Sequence, residues 1–362
     1  MSQQSLPARD VGVRAGPAGR AMVLGVVAAA CFASSFVLNR MMSTAGGSWM
    51  WTASLRYLFM LAPMVVLVAV RGGLGGTLRS LRARPGTWLL WSTVGFGLFY
   101  APLAWASTAG AGWLVASTWQ LTLVAGLIIG ALGGHGGLPV RTLVVSLLIV
   151  LGVALAQVAH AEETGWGAVV RVVAPVLVAA FAYPLGNRRL LGVDGLDGFQ
   201  RTLAMTVGSL PLWLVMAATA WATDGPPSGG QTLQSAIVAL ASGVVATTLF
   251  FRATDLVRHR PDTLGAVEAT QAAEVPFTLL GEALLIGVAA PDVAGWAGLA
   301  LIVAGLCAHA LGGALPARRR TTGEPPLPGP VVPARGLAPE LTPEPTPAPV
   351  PVEEPRAVRT SD

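Results

Sequence analysis

The sequence predicts an all-α polytopic membrane protein, with ten transmembrane helices arranged as two inverted five-helix repeats. Three observations carry that reading. Of 362 residues, 53% are hydrophobic and only 11% charged, whereas charged residues make up about a quarter of an ordinary soluble domain. Ten apolar segments of membrane length follow one another, and the arginines between them fall on alternate connections.

Residues 1–20 are polar and hold Arg9, Arg14 and Arg20; no small-residue cleavage site follows the next apolar run, which predicts an uncleaved cytoplasmic segment rather than a secretory signal. Spans are expected at 21–43, 49–70, 86–106, 111–132, 141–160, 166–186, 199–222, 232–254, 263–287 and 292–313. Each must be helical, because a backbone in lipid has to satisfy its own hydrogen bonds and a crossing takes about 20 residues at ~1.5 Å each. Residues 314–362 change character. Thirteen of the 27 prolines lie between 316 and 355, mixed with Glu and Thr, a composition that builds no core and predicts a disordered, polyproline-like cytoplasmic tail.

Orientation follows from the arginines. Seventeen lie on one set of alternate connections, and none on the opposite set at 44–48, 107–110, 161–165, 223–231 and 288–291. Basic residues mark the cytoplasmic side, so both termini are expected there. All 23 basic residues are Arg and none is Lys, which with the heavy use of Ala and Gly points to a GC-rich bacterial genome. The net charge of +5 is accounted for by these topology signals; no basic tract has the spacing of a nucleic-acid module, and no nucleic-acid partner is expected. Cys31 and Cys307 fall inside predicted spans and read as small buried residues, neither a disulfide framework nor a metal site.

The two halves match weakly but in order. CFASSFVLNR at 31–40 lies against AFAYPLGNR at 180–188, STWQ at 117–120 against EATQ at 268–271, and LLIVLG at 147–152 against ALIVAG at 300–305. The repeats are expected over 21–160 and 161–313. With five spans per copy the second enters the membrane from the opposite side, as in transporters that alternate access around a site at the repeat interface.

The ninth segment concentrates polar chemistry. It carries Glu268, Gln271, Glu274 and Glu282 among apolar residues on every face, and a carboxylate at the centre of a spanning helix costs roughly 2.5–3.5 kcal/mol on insertion scales. On a continuous helix Gln271 and Glu282 share the face of Glu268 and Glu274 is rotated by about 120°, unless Pro276 bends the helix. Glu268 and Glu274 are the candidate proton carriers, and Glu282, nearer the outer surface, is expected to be better hydrated.

Taken together, the Asn-Arg ending of the first span, ASLRY around Arg56, FAYPLGNR, LFFRATDLV at 249–257 and AVEATQAAEVPFTLLGE at 266–282 resemble the drug/metabolite transporter superfamily, and most of all its multidrug-resistance efflux transporters. The resemblance covers residues 21–313 and implies a ten-helix bundle that lies in the plasma (inner) membrane and exports small organic solutes. It departs from the superfamily at 133–134, where Gly-Gly replaces Gly-Glu, and the first span lacks the carboxylate of the small four-span transporters. Proton coupling is therefore not carried over by position.

The candidate substrate site comprises Glu268, Gln271, Glu274, Ser117, Trp119, Gln120, Tyr183 and Asn39, in a cavity among spans 1, 3, 4, 6, 8 and 9. A Trp wall opposite carboxylates suits a cationic or aromatic small molecule. Simple packing or lipid contact accounts for Trp119 equally well. Tyr183 with Pro184, and Ser34 with Ser35, read first as close helix approaches. Arg40, Arg56 and Arg171 read as side chains snorkelling to headgroups, or as a partner of Glu282. Protons are the expected coupling ion; no cofactor and no metal are expected. An enzyme is disfavoured because HExxH and GxSxG are absent and the four histidines are dispersed, and a nucleotide-driven pump because no GxxxxGK[ST] loop is present. An amino-acid or metabolite exporter or uniporter, and a non-transporting membrane receptor, remain as alternatives.

Overall fold

The computed structural model describes residues 17–132, 140–191, 193 and 195–314. The proline-rich tail, the Gly133–Gly134 pair and most of the N-terminal segment lie outside them. The described residues are helical with no strand. The chain runs through α1 (Pro17–Thr44), α2 (Trp49–Val70) and α3 (Leu74–Ala83), then α4 (Pro85–Ser92), a π segment (Thr93–Gly97) and α5 (Leu98–Ala106) in one run. After α6 (Gly112–Trp119) and α7 (Leu121–Leu132) come α8 (Val140–Thr164), α9 (Trp166–Leu191) and α10 (Gly198–Asp224). The rest is α11 (Gly229–Val238), a second π segment (Ala239–Ala246) and α12 (Thr247–Leu256), then α13 (Pro261–Ala269), a 3₁₀ turn (Thr270–Ala273), α14 (Glu274–Leu285) and α15 (Val293–Ala314).

Every predicted apolar segment falls on these helices. Among the described residues eight runs are long and apolar enough to cross a membrane. The ninth predicted segment is divided by its 3₁₀ turn, and the apolar stretch of the tenth, Val293–Ala308, is shorter. The sequence reading missed α3, a short amphipathic helix in the Arg-rich connection after α2.

Hydrogen bonds sort the connections into two ends. At the arginine-poor end Trp51 Nε1 donates to the Gly225 carbonyl at 2.8 Å, Gln231 Nε2 to the Ser48 carbonyl at 2.7 Å, and Arg40 to Ser107 at 3.0 Å. Gly225 turns the chain there at φ 78, a conformation that favours glycine. At the arginine-rich end Gln200 closes a capping box with Asp197 at the start of α10 and also donates to Gly73 at 2.9 Å. Phe199 meets Phe251 edge-on at 5.3 Å, and Ala21, Ala253, Val257 and Val267 pack together nearby.

The core is aromatic and small-residue rich. Tyr57 stacks on Trp213 at 4.5 Å and touches Phe96 and Tyr100. α8 packs along α15 where Gly152 and Gly298 face each other, and a Cβ on either would run into the other's carbonyl. Small residues let membrane helices approach in this way. α2 packs on α10, α5 on α9, α7 on α9, α1 on α12 and on α14, and α6 on α14. The cysteines correct the sequence reading: Cys31 is half-buried and Cys307 exposed, both as free thiols. A lipid-facing surface accepts a thiol as readily as a core does.

Candidate functional site

The centre of the bundle is built on Arg56, which the sequence reading sent to the headgroups. It lies two turns into α2 and is only 7% exposed. Nη1 donates to Ser35 Oγ of α1 at 2.8 Å and Nη2 to Ser242 Oγ at 3.0 Å. Ser242 belongs to the second π segment, and such segments recur at functional sites because the extra residue re-aims neighbouring side chains. The guanidinium sits 4.1 Å over the Tyr100 ring, a cation–π contact. Three elements therefore hold it too deep to snorkel.

Tyr100 follows the first π segment, and its hydroxyl donates to Asn39 Oδ1 at 2.9 Å. Asn39, a predicted site residue, is thus placed at the centre and orients this ring. The neighbouring Phe99 lies 4.9 Å from Trp119 and 4.8 Å from Tyr183, and Trp119 meets Tyr183 edge-on at 5.6 Å. Tyr183 keeps 37% of its surface accessible. Leu177, Val178 and Phe181 point the other way from α9 and are exposed as a lipid-facing stripe. Pro184 has no N–H to give the Ala180 carbonyl, four residues back. Thr122 Oγ1 donates to that carbonyl at 3.2 Å instead and ties α7 to α9.

Opposite stand the broken helices. A 3₁₀ turn, which adds about 20° per residue over an α-helix, lies along this segment: Glu268 is exposed, Gln271 half-buried and Glu274 6% exposed. The break precedes Glu274. Pro276 sits in the first turn of α14, where proline is tolerated, and is not the bend. The Glu274 carboxylate has no hydrogen-bond or ion-pair partner among the described residues. Gln271 Nε2 is also buried without a partner. In the fourth segment the helix breaks at Gln120, whose Nε2 turns back to Ala116 at 3.2 Å. Ser117 donates to Leu114 at 3.0 Å and is fully buried, while Thr118 accepts from Gln157 at 2.7 Å.

Glu282 is also corrected. It is fully buried, not hydrated. Its two oxygens accept the Gly112 N–H at 2.6 Å and the Trp113 N–H at 2.9 Å, capping the first turn of α6, and Arg40 lies within electrostatic reach. Arg40 in turn donates to the Ser107 and Thr108 carbonyls after α5. A negative group at a helix start and a positive one at a helix end is the favourable arrangement for both helix dipoles. Arg171 is exposed near the start of α9.

Two clefts open at the ends of the molecule, one of about 480 Å³ lined by Trp49, Asp224 and Gln231 among others, one of about 290 Å³ beside Arg79 and Leu196. Neither reaches the aromatic cluster. Among the described residues no three His, Cys, Asp or Glu side chains converge as a metal site. Sequence reasoning overlooked Phe99, Tyr100 and Ser242. The Phe-Tyr pair shortly after TVGFG was the available signal for the first two, but no spacing rule places a π segment.

Comparison with known proteins agrees with this architecture. The protein YjlA of Bacillus subtilis (strain 168), named as uncharacterized, is 47% identical over 304 residues, 80% of this chain and 94% of its own. An uncharacterized 42.1 kDa protein of Shouchella clausii, from the intracellular alkaline protease 3' region, is 46% identical over 266 residues, 70% of each chain. A chain of known crystal structure superposes with a TM-score of 0.54 at 21% identity over 84% of this chain and 99% of its own, which bears on fold alone. The family described as "Putative multidrug resistance efflux transporter" (EmrE) matches residues 19–313. A multi-pass bundle with that match over most of its length belongs to this family of membrane transporters.

Proposed function

We propose that the protein is a secondary exporter of small organic solutes that works by alternating access, driven by protons, with its site between the aromatic wall of Phe99, Trp119 and Tyr183 and the carboxylate of Glu274. The observation that carries this is Glu274 itself: a buried carboxylate without a partner among the described residues, directly after a helix break. Intramembrane carboxylates are costly and belong to substrate or proton pathways by default. Gln271 and Gln120 line the same level of the two broken segments. Glu268 stands at the mouth on the arginine-rich side.

Ten crossings in two inverted repeats, 21–160 and 161–313, fit the geometry. π segments fall in the third and eighth runs and breaks in the fourth and ninth, at Gln120 and at 270–273. The pairings of runs 2 with 7, 5 with 10 and 4 with 9 are unchanged when every number is shifted by five, and 3 with 6 becomes 8 with 1. That is the expectation for a two-fold axis in the membrane plane. α6 packs on α14 at the arginine-poor end, while α7 turns to α9 and α13 to α15. With arginines inside, this is an inward-open arrangement closed on the outer face by Glu282.

The test is flux into proteoliposomes with cationic dyes and amino acids, with and without a pH gradient. Flux that rises with the gradient is expected; saturable binding with no flux for any of them would make the protein a receptor. Topology is checked with a single cysteine at position 228, which should react with an impermeant reagent in intact cells. Reaction only after permeabilisation would invert the orientation.

A further inference from the structure

We infer that Arg56 is an anion subsite within the same cavity, so that the transported solute carries an acidic group as well as a basic one on a flat aromatic or apolar body. This rests on the proposed transport reading and deepens it. Arg56 carries a full positive charge at 7% exposure, and the ion pairs among the described residues are Arg71 with Asp197 and Arg258 with Asp255, neither of which involves it. Its partners are two neutral hydroxyls and a ring face, and its Nε, buried, has no partner at all. A buried charge without a counter-ion is unfavourable unless something supplies one.

Ser35, Ser242 and Tyr100 come from three elements and fix the orientation of the guanidinium fork, which is the preorganisation a carboxylate needs for charge-assisted hydrogen bonds. Glu274 is the complementary case, a buried carboxyl group with no partner among the described residues. Arg56 and Glu274 do not pair with each other. The rings of Tyr100, Phe99 and Tyr183 form a continuous run, with centroids 5.9 and 4.8 Å apart. A zwitterion lying on that run would neutralise both charges at once. A simple cation would leave Arg56 uncompensated.

The experiment measures ligand-induced thermal stabilisation and uptake in proteoliposomes of the full chain with three probes of one shape: tryptophan (both charges), tryptamine (no carboxylate) and indole-3-propionate (no amine). Tryptophan should be preferred over either by at least about tenfold, the scale of one hydrogen bond to a charged group. Arg56→Gln should abolish the preference over tryptamine and leave tryptamine itself unchanged or improved, and Arg56→Lys should keep part of it. Should the Arg56 variants fail to fold, the three-probe series on the unaltered protein still decides. Tryptamine equal to or better than tryptophan, with chloride or without it, overturns the subsite while leaving the transport reading in place. If none of the three probes, and no cationic dye, binds or moves, the transport reading fails with it.

Discussion

Replacing Glu274 with Gln is expected to remove all pH-gradient-driven flux while leaving a folded protein that still binds and exchanges solute. Gln keeps the volume and hydrogen-bonding capacity of the side chain but cannot take up or release a proton. Glu274 is buried at the N-terminal turn of α14, directly after the 3₁₀ break. A cationic group on the solute and a proton would compete for it, and that competition is sufficient to exchange one for the other across two conformations. Loss of the charge should also weaken binding of a cationic solute by about 1.5–3 kcal/mol, or roughly ten- to hundredfold. Flux with and without a gradient, together with counterflow at zero gradient, separates coupling from binding. Glu268→Gln is the contrast: Glu268 is exposed, and its variant should keep most of the driven flux. If instead Glu274→Gln retains driven flux and Glu268→Gln loses it, the coupling carboxylate lies at the mouth and the buried one is structural.

The sequence made the membrane architecture plain because the bilayer imposes a simple rule, long apolar helices with arginines on alternate connections, and each of those segments can be counted without knowing its neighbours. It also singled out the polar residues of the ninth segment, of which Glu274 and Glu282 are buried. What it could not supply was rotation. The face of Glu274 depends on a four-residue 3₁₀ turn at 270–273, and neither Ala nor Thr there announces one. Pro276, the residue that looks like a helix breaker, occupies the one turn where proline does no harm.

Arg56 was misplaced for a related reason. Its depth along α2 is compatible with snorkelling, and only the tertiary approach of Ser35 and Ser242, the latter re-aimed by a π segment, turns it inward. The aromatic wall was half legible. Trp119 and Tyr183 stood out as polar aromatics in apolar spans, whereas Phe99 looked like any core residue until two rings were found against it.

Glu282 is where the structure changes an expectation most. The variant Glu282→Gln is expected to cost about 2–5 kcal/mol, because two buried N–H groups lose a charged acceptor and unsatisfied buried donors cost about 1–3 kcal/mol each. Gly112 and Trp113 both donate to it, so an amide can accept from one and must turn its own N–H₂ toward the other. Arg40 is left beside a neutral group, held only by the Ser107 and Thr108 carbonyls. These contacts join α14 to the start of α6, so they bridge the two halves of the chain at the arginine-poor end. Loosening them should favour opening of that face. The expected result is a lower unfolding midpoint in detergent and faster reaction of an impermeant thiol reagent with a cysteine placed at the buried position 116, in a background with Cys31 and Cys307 replaced by Ser. Glu282→Asp, too short to reach both N–H groups, should fall between. If Glu282→Gln matches the parent within about 0.5 kcal/mol, the range of a neutral surface change, and position 116 stays unreactive, then the cap neither stabilises the bundle nor closes its outer face.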